Sequence, residues 1–159
     1  MYGYQAAFGG RNHETFKLKI EALLSGQEII YISEDTKTGF RVACALYPEW
    51  IEMFSLRTLK LPSPRANYEN ERLGGLVTAA FKQAKIPFNP YDLRHCWARR
   101  SIAFGMDPRI AALCMGHSLE VHFKIYCHWF TEEEIKRELE RIKQNPNRPK
   151  PLINKPPQG

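Results

Sequence analysis

Cysteine is scarce in this chain. Cys44, Cys96, Cys114 and Cys127 are four among 159 residues, and their spacing forms no disulfide framework. A disulfide-stapled secreted fold is therefore not expected, and the four read as reduced thiols of a cytoplasmic protein. Long hydrophobic runs are missing too. No stretch approaches the ~20 apolar residues needed to cross a bilayer. The opening Met-Tyr-Gly-Tyr-Gln has neither the basic stretch nor the apolar run of a secretory signal, so none is expected. Acidic residues are in deficit: 17 Asp and Glu stand against 23 Lys and Arg, a formal net charge of +6. The deficit is sharpest in residues 145–159, which hold five prolines and no Asp or Glu. That segment is expected to be a flexible basic tail. A basic balance favours acidic partners, nucleic acid first among them.

What remains is ordinary globular material, with 43% hydrophobic residues and no internal repeat. The length suits one domain, placed over residues 1–144 with the tail behind it. Residues 2–18 look helical around the Gly9-Gly10 interruption. Glu28 to Ile32 and Phe40 to Leu46 read as two strands of a hairpin, with Lys37 near its tip. A third short strand is expected near Ile20 to Leu24. From Pro48 onward the pattern is helical. Short helices are expected over residues 49–56 and, capped by Ser118, 118–128. A longer one over residues 67–85 carries Leu73, Leu76, Val77, Ala80, Phe81 and Ala84 on one face. Asn89-Pro90 opens a helix that Gly105 ends. Asp107-Pro108 opens another that stops at Gly116. Thr131 to Glu134 is a capping box on the last helix, whose apolar stripe of Ile135, Leu139 and Ile142 suits either its own core or a neighbouring protomer. The expected fold class is mainly α with a small antiparallel β-sheet.

The polar residues between these elements form a pattern. Tyr91-Asp-Leu-Arg94-His95 lies at a helix start, Met115-Gly-His117-Ser118 follows, and Tyr126-Cys-His128 comes next, with Tyr126 nine residues after His117. Upstream stand Gly9-Gly10-Arg11-Asn-His-Glu14 and Thr36-Lys37-Thr38-Gly39. These types suit phosphodiester cleavage. Tyrosine can be a nucleophile, provided cations favour its phenolate. Two arginines can grip the non-bridging oxygens of a phosphate through several donors each. A hairpin lysine can protonate a leaving oxygen, and histidine can hydrogen-bond the phosphate.

The five boxes, in this order, resemble the catalytic domain of the tyrosine recombinase (phage integrase) family. The resemblance implies that fold, and site-specific DNA cleavage and rejoining through a 3′-phosphotyrosyl link, with no metal and no cofactor. Tyr126 would be the nucleophile. Arg11 and Arg94 would bind the scissile phosphate with help from His117, and Lys37 would be the general acid. Glu14 would orient Arg11. His95 and His128 are companions of the motif without assigned chemistry. The resemblance further implies double-stranded DNA as partner, a homo-oligomer (a tetramer on DNA) and a location at the nucleoid.

Two departures stand out. Tyr91 occupies the position usually held by histidine, and a neutral tyrosine is no general base near pH 7. The chain also starts close to its first arginine, so the family's first helix and its N-terminal core-binding domain are expected to be missing. Other readings are a DNA-binding remnant without catalysis, and a topoisomerase of type IB that relaxes DNA. From a different class, Cys114, His117, His122, Cys127 and His128 could serve a helical zinc-binding or interaction module.

Overall fold

In a computed structural model of the chain, residues 1–33, 39–58, 63, 68–126 and 131–149 are described. Two compact units emerge, Met1–Tyr126 and Cys127–Gly159. The first opens with α1 (Tyr2–Phe8), a 3-10 helix (Asn12–Phe16), β1 (Leu18–Lys19) and α2 (Glu21–Leu24). Next come β2 (Ile29–Ile32), β3 (Arg41–Cys44), α3 (Glu49–Met53), α4 (Asn70–Gln83), α5 (Pro90–Ala103), α6 (Pro108–Met115) and α7 (Leu119–Tyr126). The fold is mainly helical, with one small antiparallel sheet, as expected.

The sheet runs in the order β1-β2-β3, with Leu18 opposite Ile32 and Ile32 opposite Arg41. Side chains alternate across a strand. Ile30 and Ile32 therefore face the core beside Ala43, while Val42 points to solvent. The same alternation puts Arg41 on the inner face of β3, where it is only 7% exposed. A buried guanidinium demands a partner, and the site supplies one.

The third strand departs from the sequence expectation. Residues 21–24 form α2, which buries Ala22 and Leu23, and the strand is the shorter Leu18–Lys19 just before it. A two-residue strand has no periodicity of its own; its pairing with Ile32 and Tyr31 defines it. The opening helix likewise ends at Gly9, in a left-handed conformation with φ 69° and ψ 21°. A 3-10 turn replaces its expected continuation. The α4 helix buries a narrower stripe than anticipated: Leu73, Val77 and Phe81, four residues apart, with Leu76 exposed.

Helix boundaries follow local capping chemistry. Asn89 caps α5 by accepting the Tyr91 N–H at 2.9 Å, and Asp92 accepts the Asn89 N–H at 3.0 Å. Asp107 caps α6 by accepting the Arg109 N–H at 2.8 Å. Each cap satisfies N–H groups that the first turn leaves unpaired. Trp97 on α5 is fully buried and donates its indole N–H to the Cys44 carbonyl at 3.1 Å, tying α5 to the sheet. Around it Ala98, Ala111, Met115 and Tyr126 form a core of their own, which brings α5, α6 and α7 together.

In the second unit, α8 (Glu132–Gln144) begins with the Thr131 and Glu134 capping box. None of its residues is buried. Exposed ion pairs line it, such as Lys136 with Glu132 at 2.5 Å, each worth only a few tenths of a kcal/mol. Among the described residues no helix is long and apolar enough to cross a membrane. Cys44, Cys96 and Cys114 are free thiols, and Cys127 lies outside the described residues.

Candidate active site

The site is organised around the C-terminal end of α6. That helix stops at Gly116, whose φ of 61° and ψ of 47° lie in the left-handed region glycine tolerates best. The last carbonyls of a helix lack intrahelical partners and carry partial negative charge. Here three successive carbonyls each receive a different arginine. Arg41 Nε donates to the Cys114 carbonyl at 3.0 Å. Arg94 Nη2 donates to the Met115 carbonyl. Arg11 Nη2 donates to the Gly116 carbonyl at 3.0 Å. Arg94 also reaches back to the end of α1, donating from Nη1 to the Gly9 carbonyl at 2.8 Å. Two left-handed helix ends, at Gly9 and Gly116, thus hold the guanidinium groups.

Glu14 joins two of these arginines. Its side chain is wholly buried. Oε1 accepts from Arg11 Nη1 at 2.8 Å, and Oε2 accepts both the Arg11 backbone N–H and Arg41 Nη2, each at 2.5 Å. Burial pushes the Glu14 carboxyl upward. The Arg41 hydrogen bond and charge, with the Arg11 contacts behind them, outweigh it and hold the group at about 2. A carboxylate with these partners fixes the Arg11 fork in one orientation.

Arg94 is fully buried, and among the described residues its Nε has no hydrogen-bond partner. Burial, and after it the nearby Arg11 charge, lower it to about 10, so it stays cationic at neutral pH. Its Nη2 also lies 2.8 Å from His117 Nε2. A guanidinium offers only donors, so His117 Nε2 accepts and its proton sits on Nδ1. That Nδ1 is buried and has no partner among the described residues. Burial and the cations Arg94 and Arg11 hold His117 down at about 4, so the ring is neutral near pH 7.

Tyr126 ends α7 and is 2% exposed. Its ring lies parallel to that of His117, with centroids 6.2 Å apart, and 5.1 Å from His122. Its hydroxyl lies 3.0 Å from His95 Nδ1. Burial raises the phenol above its ordinary range, and the Arg94 charge, which acts the other way, does not cancel this.

Arg11, Arg94, His117, Tyr126 and Glu14 are therefore neighbours in one site. Tyr91 stands at its edge, 38% exposed, with its ring edge-on to His95 at 5.1 Å. Lys37 and His128 lie outside the described residues. Among the described residues no three His, Cys, Asp or Glu side chains are grouped to hold a metal ion, and Cys127 and His128 of the zinc reading lie outside them. Sequence reasoning named His95 only as a companion of the motif without assigned chemistry, and passed over Arg41 and His122 as members of the site. An inward position on an alternating strand was the available signal for Arg41. His122 is four residues before Tyr126, on the same helical face.

Known proteins share this fold. A crystal structure of XerA recombinase superposes with a TM-score of 0.57 at 20% identity, over 90% of this chain and 57% of that one. The integrase of transposon Tn1549, in complex with transposon right end DNA, superposes with a TM-score of 0.51 at 18% identity, over 89% of this chain and 57% of that one. The fold is that of the tyrosine recombinase catalytic domain. Two curated proteins of Nostoc sp. (strain PCC 7120 / SAG 25.82 / UTEX 2576) are similar in sequence. Excisase A is 34% identical over 144 residues, 82% of this chain, and Excisase C is 32% identical over 152 residues, 86% of this chain. The chain spans about 30% of the length of either excisase. No family model matches it. The fold that the sequence resemblance implied is the one these structures share.

Proposed function

We propose that this chain cuts and rejoins DNA as the catalytic domain of a site-specific recombinase. The observation that carries this reading is the seating of Arg94 and Arg11 on the adjacent carbonyls of Met115 and Gly116, with His117 and Tyr126 beside them. Two guanidinium groups seated on successive carbonyls make a concentrated positive site suited to a phosphodiester. The names of the two Nostoc relatives favour excision of an element as the biological direction.

In the proposed step, the Tyr126 oxygen attacks the scissile phosphorus. The bond from phosphorus to the 5′ oxygen breaks, and Lys37 protonates that oxygen as it leaves. Arg11 and Arg94 stabilise the charge on the non-bridging oxygens, and His117 donates from Nδ1. The product is a 3′-phosphotyrosyl link. A 5′-hydroxyl from another strand reverses the chemistry and reseals the DNA. No nucleotide cofactor or metal ion is needed, because the ester bond energy is retained. Glu14 positions Arg11. Double-stranded DNA is the partner, several copies assemble on it, and the protein resides with the nucleoid.

Covalent trapping tests this. The chain is incubated with nicked duplexes tiled across its own locus, denatured in detergent, and examined for a retarded protein–DNA band beside Tyr126→Phe. A band lost in the Phe variant is expected. Salt-sensitive binding without a band would leave a DNA-binding remnant without catalysis. Absence of both would remove the DNA reading.

A further inference from the structure

We propose that His95 is the catalytic proton acceptor of Tyr126, the task that Tyr91 cannot perform. The inference rests on the recombinase reading above and adds a residue to it. Tyr126 packs in a core with Trp97, Ala98, Ala111 and Met115 and is 2% exposed. A buried O–H requires an acceptor. Among the described residues its hydroxyl has one hydrogen-bonding partner, His95 Nδ1 at 3.0 Å. That contact is within the reach of direct proton transfer.

Two other histidines touch the Tyr126 ring, and neither is placed for the task. His117 Nε2 is taken by Arg94 Nη2, which leaves Nδ1 as a donor. His122 is wholly buried and neither ring nitrogen has a partner among the described residues, so it makes no hydrogen bond to the hydroxyl. Tyr91 meets His95 edge to face, as a ring packed on the base. His95 follows Arg94 directly on α5, so one helix carries both the phosphate clamp and the acceptor.

The proton balance closes in both directions. In cleavage the phenol proton passes to His95 Nδ1 while the Tyr126 oxygen bonds to phosphorus and the 5′ oxygen departs with a proton from the general acid. In rejoining the 5′-hydroxyl returns its proton to the deprotonated general acid as its oxygen bonds to phosphorus, the phenolate oxygen leaves, and imidazolium His95 returns the proton to it. The charged and titratable groups that face this pair are Arg94 and Tyr91 from α5, His117 from the turn after α6, and His122 from α7.

The test is single-turnover adduct formation on nicked duplex DNA by the wild-type chain, His95→Asn and His95→Gln. Either amide can accept a hydrogen bond, and neither can carry the proton away. Melting and DNA anisotropy identify the variants that fold and bind. Adduct formation is expected to slow about 10²- to 10³-fold. The variants' rate should climb with pH where the wild-type rate is flat. The second arm uses DNA with sulfur at the 5′ bridging position, a leaving group that needs no proton. That substrate should restore Lys37→Ala and leave the His95 variants slow. A folded His95 variant that reacts at the wild-type rate, or that the sulfur substrate restores, overturns the assignment while the recombinase reading stands. A wild-type chain that forms no adduct on any duplex overturns both.

Discussion

Glu14 carries more structure than any other single side chain in the site. One buried carboxylate neutralises two guanidinium groups, from Arg11 and from Arg41 on β3. Replacing it by Gln would leave the buried Arg41 cation and the half-buried Arg11 cation facing each other without a counter-charge. Breaking such a network costs about 3–5 kcal/mol, so Glu14→Gln should show a loss of that order in urea unfolding. Acid should expose the same residue. Its carboxyl titrates at about 2 in the folded chain, against 4.5 in the reference state. A depressed carboxyl contributes stability above the unfolded value and loses it as pH falls through the folded one. The contribution is on the order of 3 kcal/mol, disappearing between about pH 4.5 and 2. His117, held at about 4, acts at milder acidity. The unfolded state takes up its proton first, so stability should already fall between the ordinary histidine range near 6.5 and about 4. Urea midpoints across pH 2–8 check both windows. In Glu14→Gln the lower window should vanish and the upper one remain. A wild-type profile flat from pH 7 to 3 would contradict both assignments.

At the scale of elements, helix ends do the positioning. The carbonyls at Gly9 and Gly116 point toward Arg94 and Arg11 because both helices finish in left-handed turns. An L side chain in that conformation costs about 1–2 kcal/mol, less for Asn. Gly116→Ala should therefore lose about that amount in guanidinium unfolding, and Gly116→Asn less. Gly9→Ala should be worse, since its Cβ would stand 2.7 Å from Cγ of the buried Trp97. Equal stability of Gly116→Ala and wild type would show that the left-handed end does not matter. The ends of α5, α6 and α8 were legible in the sequence because capping is local: Asn89-Pro90, Asp107-Pro108 and Thr131 with Glu134 act within one turn. The strand at Leu18–Lys19 was not, because partners 14 and 12 residues away, Ile32 and Tyr31, create it. The site divides the same way. Arg11, Arg94, His117 and Tyr126 were found as boxes of neighbouring residues. Arg41 matters through Cys114, 73 residues distant, which no local pattern announces; His95 stood in a box, but its contact with Tyr126, 31 residues distant, did not.

For the whole molecule, binding and chemistry should separate. A net charge of +6 favours acidic partners and suits the proposed DNA binding without sequence choice. Tyr126 contributes none of that charge, and its hydroxyl is turned inward to His95. Tyr126→Phe should accordingly bind duplex DNA as wild type does while forming no adduct. Phosphate contacts release counterions, so the logarithm of the affinity should fall linearly with the logarithm of salt concentration, by about 0.9 for each phosphate neutralised. Arg11 is partly exposed, at 17%, and can reach a phosphate while Glu14 and Arg41 hold the ion pair behind it. Its replacement by Ala should flatten the slope by about 1 and weaken binding to every duplex alike. Anisotropy titrations of wild type, Arg11→Ala and Tyr126→Phe from 50 to 300 mM salt would read all three effects. An Arg11→Ala slope equal to wild type would mean that this guanidinium meets no phosphate, leaving Arg94 alone in that role. A Tyr126→Phe chain that binds far more weakly would mean that the phenol contributes to holding DNA as well as to cutting it.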